Sequence, residues 1–172
     1  MMSRQIVPEI DAADICERLV GITPVYLQNF LQRGSYGLRS SVSPGKARSQ
    51  RRLFSVEDVY GIALVWELFE SGLRGDTIAR ILNDVAGTKK ADANRIAVKL
   101  REGEIAFLLI YRSARRPSKN ITKMPVQRVE QVTEEEFARV LQRWPGQSGQ
   151  VIAVGEKFAD VRKRLEILFE VR

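Results

Sequence analysis

The chain has 172 residues, of which 44% are hydrophobic, and carries a formal net charge of +7 at pH 7. This length suits one domain or two small ones with a real core, and the positive charge favours a polyanionic partner or an acidic surface. The sequence contains no histidine and a single cysteine, Cys16. Cys–His metal clusters, Ser–His or Cys–His catalytic arrangements and an internal disulfide are therefore excluded.

Two short helices are predicted near the start of the chain. The first runs over about residues 11–19 and ends before Gly21, a residue typical of helix C-termini. Thr23 and Pro24 then begin a second helix, because Thr is a good N-cap and Pro is tolerated in the first turn. That helix continues to about residue 32. A link of only about three residues forces a sharp crossing, which is typical of a helix–turn–helix.

A basic segment rich in turn-forming residues follows the second helix. Residues 33–52 contain six Lys or Arg residues and no Asp or Glu. The segment leads into an apolar pair, Leu53 and Phe54, and then into Ser55-Val56-Glu57-Asp58, a capping box that begins a helix. A basic loop that feeds a short strand and then a capped helix predicts a β-wing. Arginines in such a wing can contact phosphates or a minor groove.

Eight further elements are predicted from the periodicity of apolar residues. In chain order they are a helix over about 56–71, a helix capped by Asp76 and closed by Gly87, a helix over 92–101, a strand over 105–111 that is apolar on both faces, a strand over 126–132, a helix begun by the Thr133–Glu136 capping box, a strand over 151–154 and a helix over 156–169. A shift in composition at residues 87–90 predicts a domain boundary. The predicted fold class is α+β, with a winged helix–turn–helix over 1–87 and a small α/β module over 88–172.

A second basic stretch, residues 112–128, also lacks acidic residues. It has three interpretations: an additional DNA contact, a surface for nucleic acid or an acidic partner, or a soluble loop, which we favour because of Pro117, Ser118 and Asn120. The glutamates at 134–136 lie in the first turn of a predicted helix, where acids suit the helix dipole. With no phosphate-binding glycine loop in the sequence either, we expect no enzymatic activity and no cofactor.

From about Asp14 to Val85 the chain resembles the DNA-binding domain of MerR-type transcriptional regulators. The residues that carry the resemblance are Gly21-Ile22-Thr23 through Arg33-Gly34, the junction Arg52-Leu53-Phe54-Ser55-Val56-Glu57-Asp58-Val59, and the paired helices from Leu68 to Leu82. The resemblance implies a winged helix–turn–helix whose second helix contacts bases. The family's Arg and Tyr residues in that helix are replaced here by Val25, Gln28, Asn29 and Phe30, which shifts the expected affinity towards the wing.

The sequence thus predicts a transcriptional regulator that binds specific double-stranded DNA. Amide side chains suit adenine edges and cationic side chains suit phosphates. The predicted DNA-binding residues are Thr23, Tyr26, Gln28, Asn29, Arg33, Arg39, Lys46, Arg48, Arg51 and Arg52. The alternative is a DNA-associated adaptor, for packaging or partition, that uses the MerR-like domain as an interaction scaffold.

Residues 88–172 are predicted to serve oligomerisation or ligand binding. A single winged domain covers one half-site, so we expect a homodimer made by this module, with the final helix or the strand over 105–111 at the contact. A small-molecule or protein effector is an open partner class. Without a long apolar run or a leader-like start, the sequence predicts a cytoplasmic protein that does not span a membrane.

Overall fold

The computed structural model describes residues 10–40, 52–112, 127–143 and 149–170. Within these ranges the protein is α+β, with helices and two small antiparallel sheets. In chain order the elements are β1 (Ile10–Asp11), α1 (Ala12–Asp14, continued by a π-helical turn over Ile15–Leu19), α2 (Pro24–Gln32), a 3₁₀ turn (Gly34–Tyr36), β2 (Leu53–Phe54), α3 (Val56–Glu70), α4 (Gly75–Ala86), α5 (Ala93–Glu102), β3 (Ile105–Arg112), β4 (Gln127–Thr133), α6 (Glu134–Gln142), β5 (Gly149–Ile152) and α7 (Val154–Glu170).

Three of the predicted helix starts are confirmed by their caps. The Thr23 hydroxyl accepts a hydrogen bond from the Tyr26 backbone N–H at 3.4 Å. Ser55 and Asp58 form a reciprocal capping box at the start of α3, and the predicted capping box at residues 133 and 136 is formed at the start of α6. These bonds satisfy backbone N–H groups that a helix leaves free at its first turn.

The predicted cap of α4 is wrong. Arg74, and not Asp76, occupies the N-cap position, and no side chain caps the helix there. The Arg74 guanidinium instead turns back and donates to the carbonyl oxygens of Phe69 at 2.6 Å and Leu73 at 2.7 Å. Asp76 lies inside the first turn, where its charge suits the helix dipole. The region near the end of the chain also differs from prediction, because β5 ends at Ile152 and α7 already begins at Val154.

Helix α3 lies at the centre of the described structure. Every residue from Asp58 to Trp66 is buried, whereas a surface helix would bury only one stripe. The helix packs against α4, α5 and α7, and one hydrophobic core extends from Ile10 to Leu168. Elements on both sides of residue 87 therefore pack against α3. The division into two domains at that residue stays a prediction.

The larger sheet has the order β4-β3-β5, so β3 is its central strand. Leu108 and Ile110 are buried in the main core, and alternate side chains of a strand point to opposite faces. On the other face Phe107 stacks on Phe137 of α6 at 4.1 Å between ring centroids, and Leu109 is fully buried. The apolar strand that the sequence predicted is thus covered within the chain. Over the described residues, none of the helices combines the length and the hydropathy that crossing a bilayer requires.

Candidate nucleic-acid interface

The outer face of α2 carries two exposed amide side chains. Leu27 and Phe30 are buried beneath the helix, while Gln28 and Asn29 are exposed between them. The buried pair fixes the rotation of α2 about its axis, and this rotation turns the amides outward. An amide can donate and accept at the same time, which is the pattern needed to pair with an adenine edge.

Tyr26 lies at the edge of an aromatic cluster. Its ring centroid is 4.8 Å from that of Phe69 and 5.6 Å from that of Trp66, and the residue remains 39% exposed. Residues four apart share a helix face, and Phe30, one turn further on, packs in the same aromatic cluster as Tyr26. Trp66 and Phe69 stack on each other with 5.4 Å between ring centroids, so Tyr26 packs against a stacked aromatic pair.

Two arginines lie where α2 approaches the start of α4. Arg33 is exposed, and its Nη1 atom would lie 3.5 Å from a Cβ placed on Gly75. The Arg74 guanidinium carbon lies 3.9 Å from the centre of the Phe69 ring, a cation–π distance. Sequence reasoning missed Arg74, since it stands alone between a helix end and a glycine and belongs to no run of charges.

The two ends of the basic segment are held close together. The Ser40 hydroxyl donates to the Leu53 carbonyl oxygen, and β2 pairs with β1 through Phe54 and Ile10. Lys46, Arg48 and Arg51 lie outside the described residues. The flanks of the segment, at Ser40 and Leu53, are therefore in direct contact.

The residues from Gly37 to Arg39, just before this contact, also lie against the start of α5. Gly37 adopts a left-handed φ of 65°, and a Cβ there would lie 2.1 Å from the Ala91 carbonyl oxygen. The amide Nδ2 of Asn94 donates to Asp58 Oδ1 at 2.7 Å and to the Arg39 carbonyl oxygen at 3.4 Å. The Arg39 guanidinium donates to Asp92 Oδ2 at 3.1 Å. Arg39, predicted to bind DNA, is therefore engaged by a carboxylate in this structure.

Asp58 has two roles in this network. It is 1% exposed, and its Oδ2 atom accepts from the Ser55 backbone N–H at 2.9 Å as part of the capping box. Its Oδ1 atom accepts from Asn94. A buried carboxylate needs such partners because it has lost its hydration. The network ties the N-terminus of α3 to α5 and to the backbone of Arg39.

Arg52 lies on a groove between α1 and α2 with a volume of about 670 Å³. Thr23 and Gln28 line the same groove, so it brings together three of the predicted DNA-binding residues. Cys16 also lines it. Burial, and to a smaller extent the neighbouring Glu17 carboxylate, raises the pKa of the Cys16 thiol, which favours the unreactive protonated form.

Six of the seven predicted site residues that the structure describes fall into three groups, and the seventh, Asn29, is exposed on the outer face of α2. Thr23, Gln28 and Arg52 border the groove, Tyr26 and Arg33 lie towards α3 and α4, and Arg39 lies against α5. In comparisons with known proteins, no family model matches the chain, and no curated protein sequence matches it. The case for a function therefore comes from the geometry and charge of these side chains.

Proposed function

We propose that the protein is a winged helix–turn–helix regulator that binds double-stranded DNA in the cytoplasm. In this proposal α2 is the recognition helix and residues 33–52 form the wing. The MerR-like sequence over residues 14–85 supports the same assignment. The role is one of binding, not catalysis, with no cofactor, and a homodimer would pair two half-sites.

The observation that carries the proposal is the pairing of an exposed amide face with an acid-free basic segment. Gln28 and Asn29 are exposed on α2, which Leu27 and Phe30 hold in one orientation. Residues 33–52 carry six cationic side chains, and the Ser40–Leu53 contact closes the base of that segment. Amides suit base edges, whereas arginines suit phosphates, so the groove that Gln28 and Arg52 both line has side chains for both kinds of contact.

Fluorescence anisotropy on labelled duplexes at several salt concentrations tests this function. With roughly four phosphate contacts per subunit of a dimer, the logarithm of the association constant should fall with the logarithm of salt at a slope of about −7. Arg48, Arg51 and Arg52 changed together to Ala should weaken binding to every duplex. A charge-matched control changes three exposed cations on other elements, Arg95, Arg143 and Lys163. A flat salt response, or equal losses in the two triple variants, would contradict the proposal.

The recognition helix needs a separate test, because base contacts and phosphate contacts affect binding differently. Gln28→Ala with Asn29→Ala should reduce the preference among duplex sequences by about 1–3 kcal/mol for each lost bidentate pair. Binding to non-cognate duplexes should change little. Selection from a random duplex library, done with wild type and with the variant, gives both quantities. If the variant selected the same sequences as wild type, α2 would not be the reading element.

One observation favours a second function, that of a DNA-associated adaptor in packaging or partition. Val25 is 67% exposed and Tyr26 is 39% exposed on α2, and apolar side chains at the front of a helix suit a protein partner as well as a thymine methyl group. Val25→Ser removes an exposed apolar side chain from α2, and its effects on DNA affinity and on protein-partner binding distinguish the two functions. A loss of partner capture with unchanged DNA affinity would favour the adaptor.

A further inference from the structure

We propose that Asp92 competes with DNA for Arg39, so that the start of α5 sets the affinity of the wing. This inference rests on the proposed function. It names a carboxylate outside the predicted winged domain as a determinant of DNA binding, and it assigns Asn94 the task of positioning the backbone from which Arg39 extends.

The carboxylate of Asp92 is held in place by α5 itself. Its Oδ1 atom accepts from the Arg95 backbone N–H at 3.1 Å and so caps the helix. The other oxygen, Oδ2, accepts from Arg39 at 3.1 Å. One oxygen therefore fixes the side chain while the second remains available to a guanidinium.

The backbone of Arg39 is also held, whereas its side chain is largely exposed beyond its contact with Asp92. Its carbonyl oxygen accepts from Asn94, and Gly37 lies against the Ala91 carbonyl oxygen too closely for any side chain at that position. The Arg39 side chain is 69% exposed and that of Asp92 is 30% exposed. Rotation about the side-chain bonds of Arg39 can thus move its guanidinium from the Asp92 carboxylate to a DNA phosphate without any shift of the backbone.

The energetics allow competition but not blockade. An exposed ion pair contributes little, because water and salt screen it. A phosphate offers the same bidentate acceptor geometry as a carboxylate, and DNA presents many of them. We therefore expect Asp92 to weaken DNA binding by about twofold to fivefold, the range that corresponds to a surface ion pair.

Asp92→Asn is the sharpest test, since Asn is as good an N-cap as Asp but carries no charge. Anisotropy with the full chain should show binding about twofold to fivefold tighter than wild type. Asp92→Ser, which also keeps a cap, should act in the same direction, and circular dichroism should give unchanged melting for both. If Asp92→Asn unfolded the protein, DNA affinity would be measured with the Asp92→Ser variant instead.

A double-mutant cycle with Arg39→Ala separates competition from a general electrostatic effect. If Asp92 acts through Arg39, Asp92→Asn should change affinity little in the Arg39→Ala background. Asp76→Asn, an exposed carboxylate in the first turn of α4, is the control, and its effect should be the same in both backgrounds. A gain from Asp92→Asn that persists without Arg39, or the absence of any gain, would overturn the inference. Failure of wild type to bind duplexes at low salt would overturn the proposed function itself, and the inference with it.

Discussion

Replacing Gly61 by Ala tests how closely α3 and α5 approach. A Cβ on Gly61 would lie 2.8 Å from the Asn94 Cα atom and 2.9 Å from its backbone nitrogen. Backbone atoms cannot turn away as a flexible side chain can. To restore an ordinary contact of about 3.5 Å, α5 would have to move by about 0.7 Å. The same Cβ would lie 2.1 Å from Asn94 Oδ1, so the amide would have to turn as well.

The change in the free energy of unfolding combines one stabilising and two destabilising terms. Ala is favoured over Gly inside a helix by about 1 kcal/mol. Overpacking costs about 1–3 kcal/mol, and loss of the hydrogen bond between Asn94 and the Asp58 carboxylate costs about 1.5–3 kcal/mol. We therefore expect a net loss of about 1.5–5 kcal/mol in the free energy of unfolding. In a chain of this size that corresponds to a melting temperature lower by roughly 3–20 °C.

Urea denaturation followed by circular dichroism measures this loss. Ala138→Gly, at an exposed position of α6, is the control for helix propensity alone and should cost about 1 kcal/mol. The experiment is repeated in the Asn94→Ala background, where the amide is gone but the backbone contact remains. There Gly61→Ala should still destabilise the protein, though by less. A variant at position 61 as stable as wild type would refute the close packing of α3 on α5.

Two further predictions concern pH and assembly. Burial raises the pKa of the Glu67 carboxyl despite the nearby Lys157 ammonium, so the folded state disfavours the ionised form. The resulting loss of folding stability is absent below the pKa of Glu67 in the unfolded chain and grows as pH rises through its pKa in the folded protein. Glu67→Gln should therefore gain stability relative to wild type between pH 4 and pH 7, and the opposite trend in urea midpoints would show that the ion pair outweighs desolvation. Sedimentation of the full chain at micromolar concentration should give a dimer, and a monomer would contradict the homodimer proposal.

Local sequence signals predicted most of the helices and strands. Capping boxes depend on residues three apart, and a chain carries them whatever its tertiary structure. Apolar periodicity works in the same way, which is why α3, β3 and α7 could be anticipated to within a few residues. The sequence also placed Ser55 and Asp58 correctly at the start of α3, because each needs only the other.

Contacts between distant segments were not predictable in this way. Nothing in the local sequence pairs Arg39 with Asp92, or Asp58 with Asn94, since each pair is brought together by the packing of α5 on α3. The sequence did contain one signal. An isolated glycine inside a helical pattern often marks a close approach of two backbones, and Gly61 has that role. The signal indicates that something packs there, but it does not identify α5 as the neighbour.

The position of α5 explains why the two halves of the chain should not be treated as independent. Residues 1–87 have as many acidic as basic residues, ten of each, so under the proposed function the affinity of this half for DNA would depend on where single charges lie. Arg39 is one of those charges, and its backbone and its guanidinium are both held by residues of the second half. An exposed ion pair is weak. A small shift of α5 would therefore be enough to break or re-form the ion pair between Arg39 and Asp92. Under the proposed function, Asp92 and Asn94 of the second half would in this way influence how much of the charge of residues 33–52 is available to DNA.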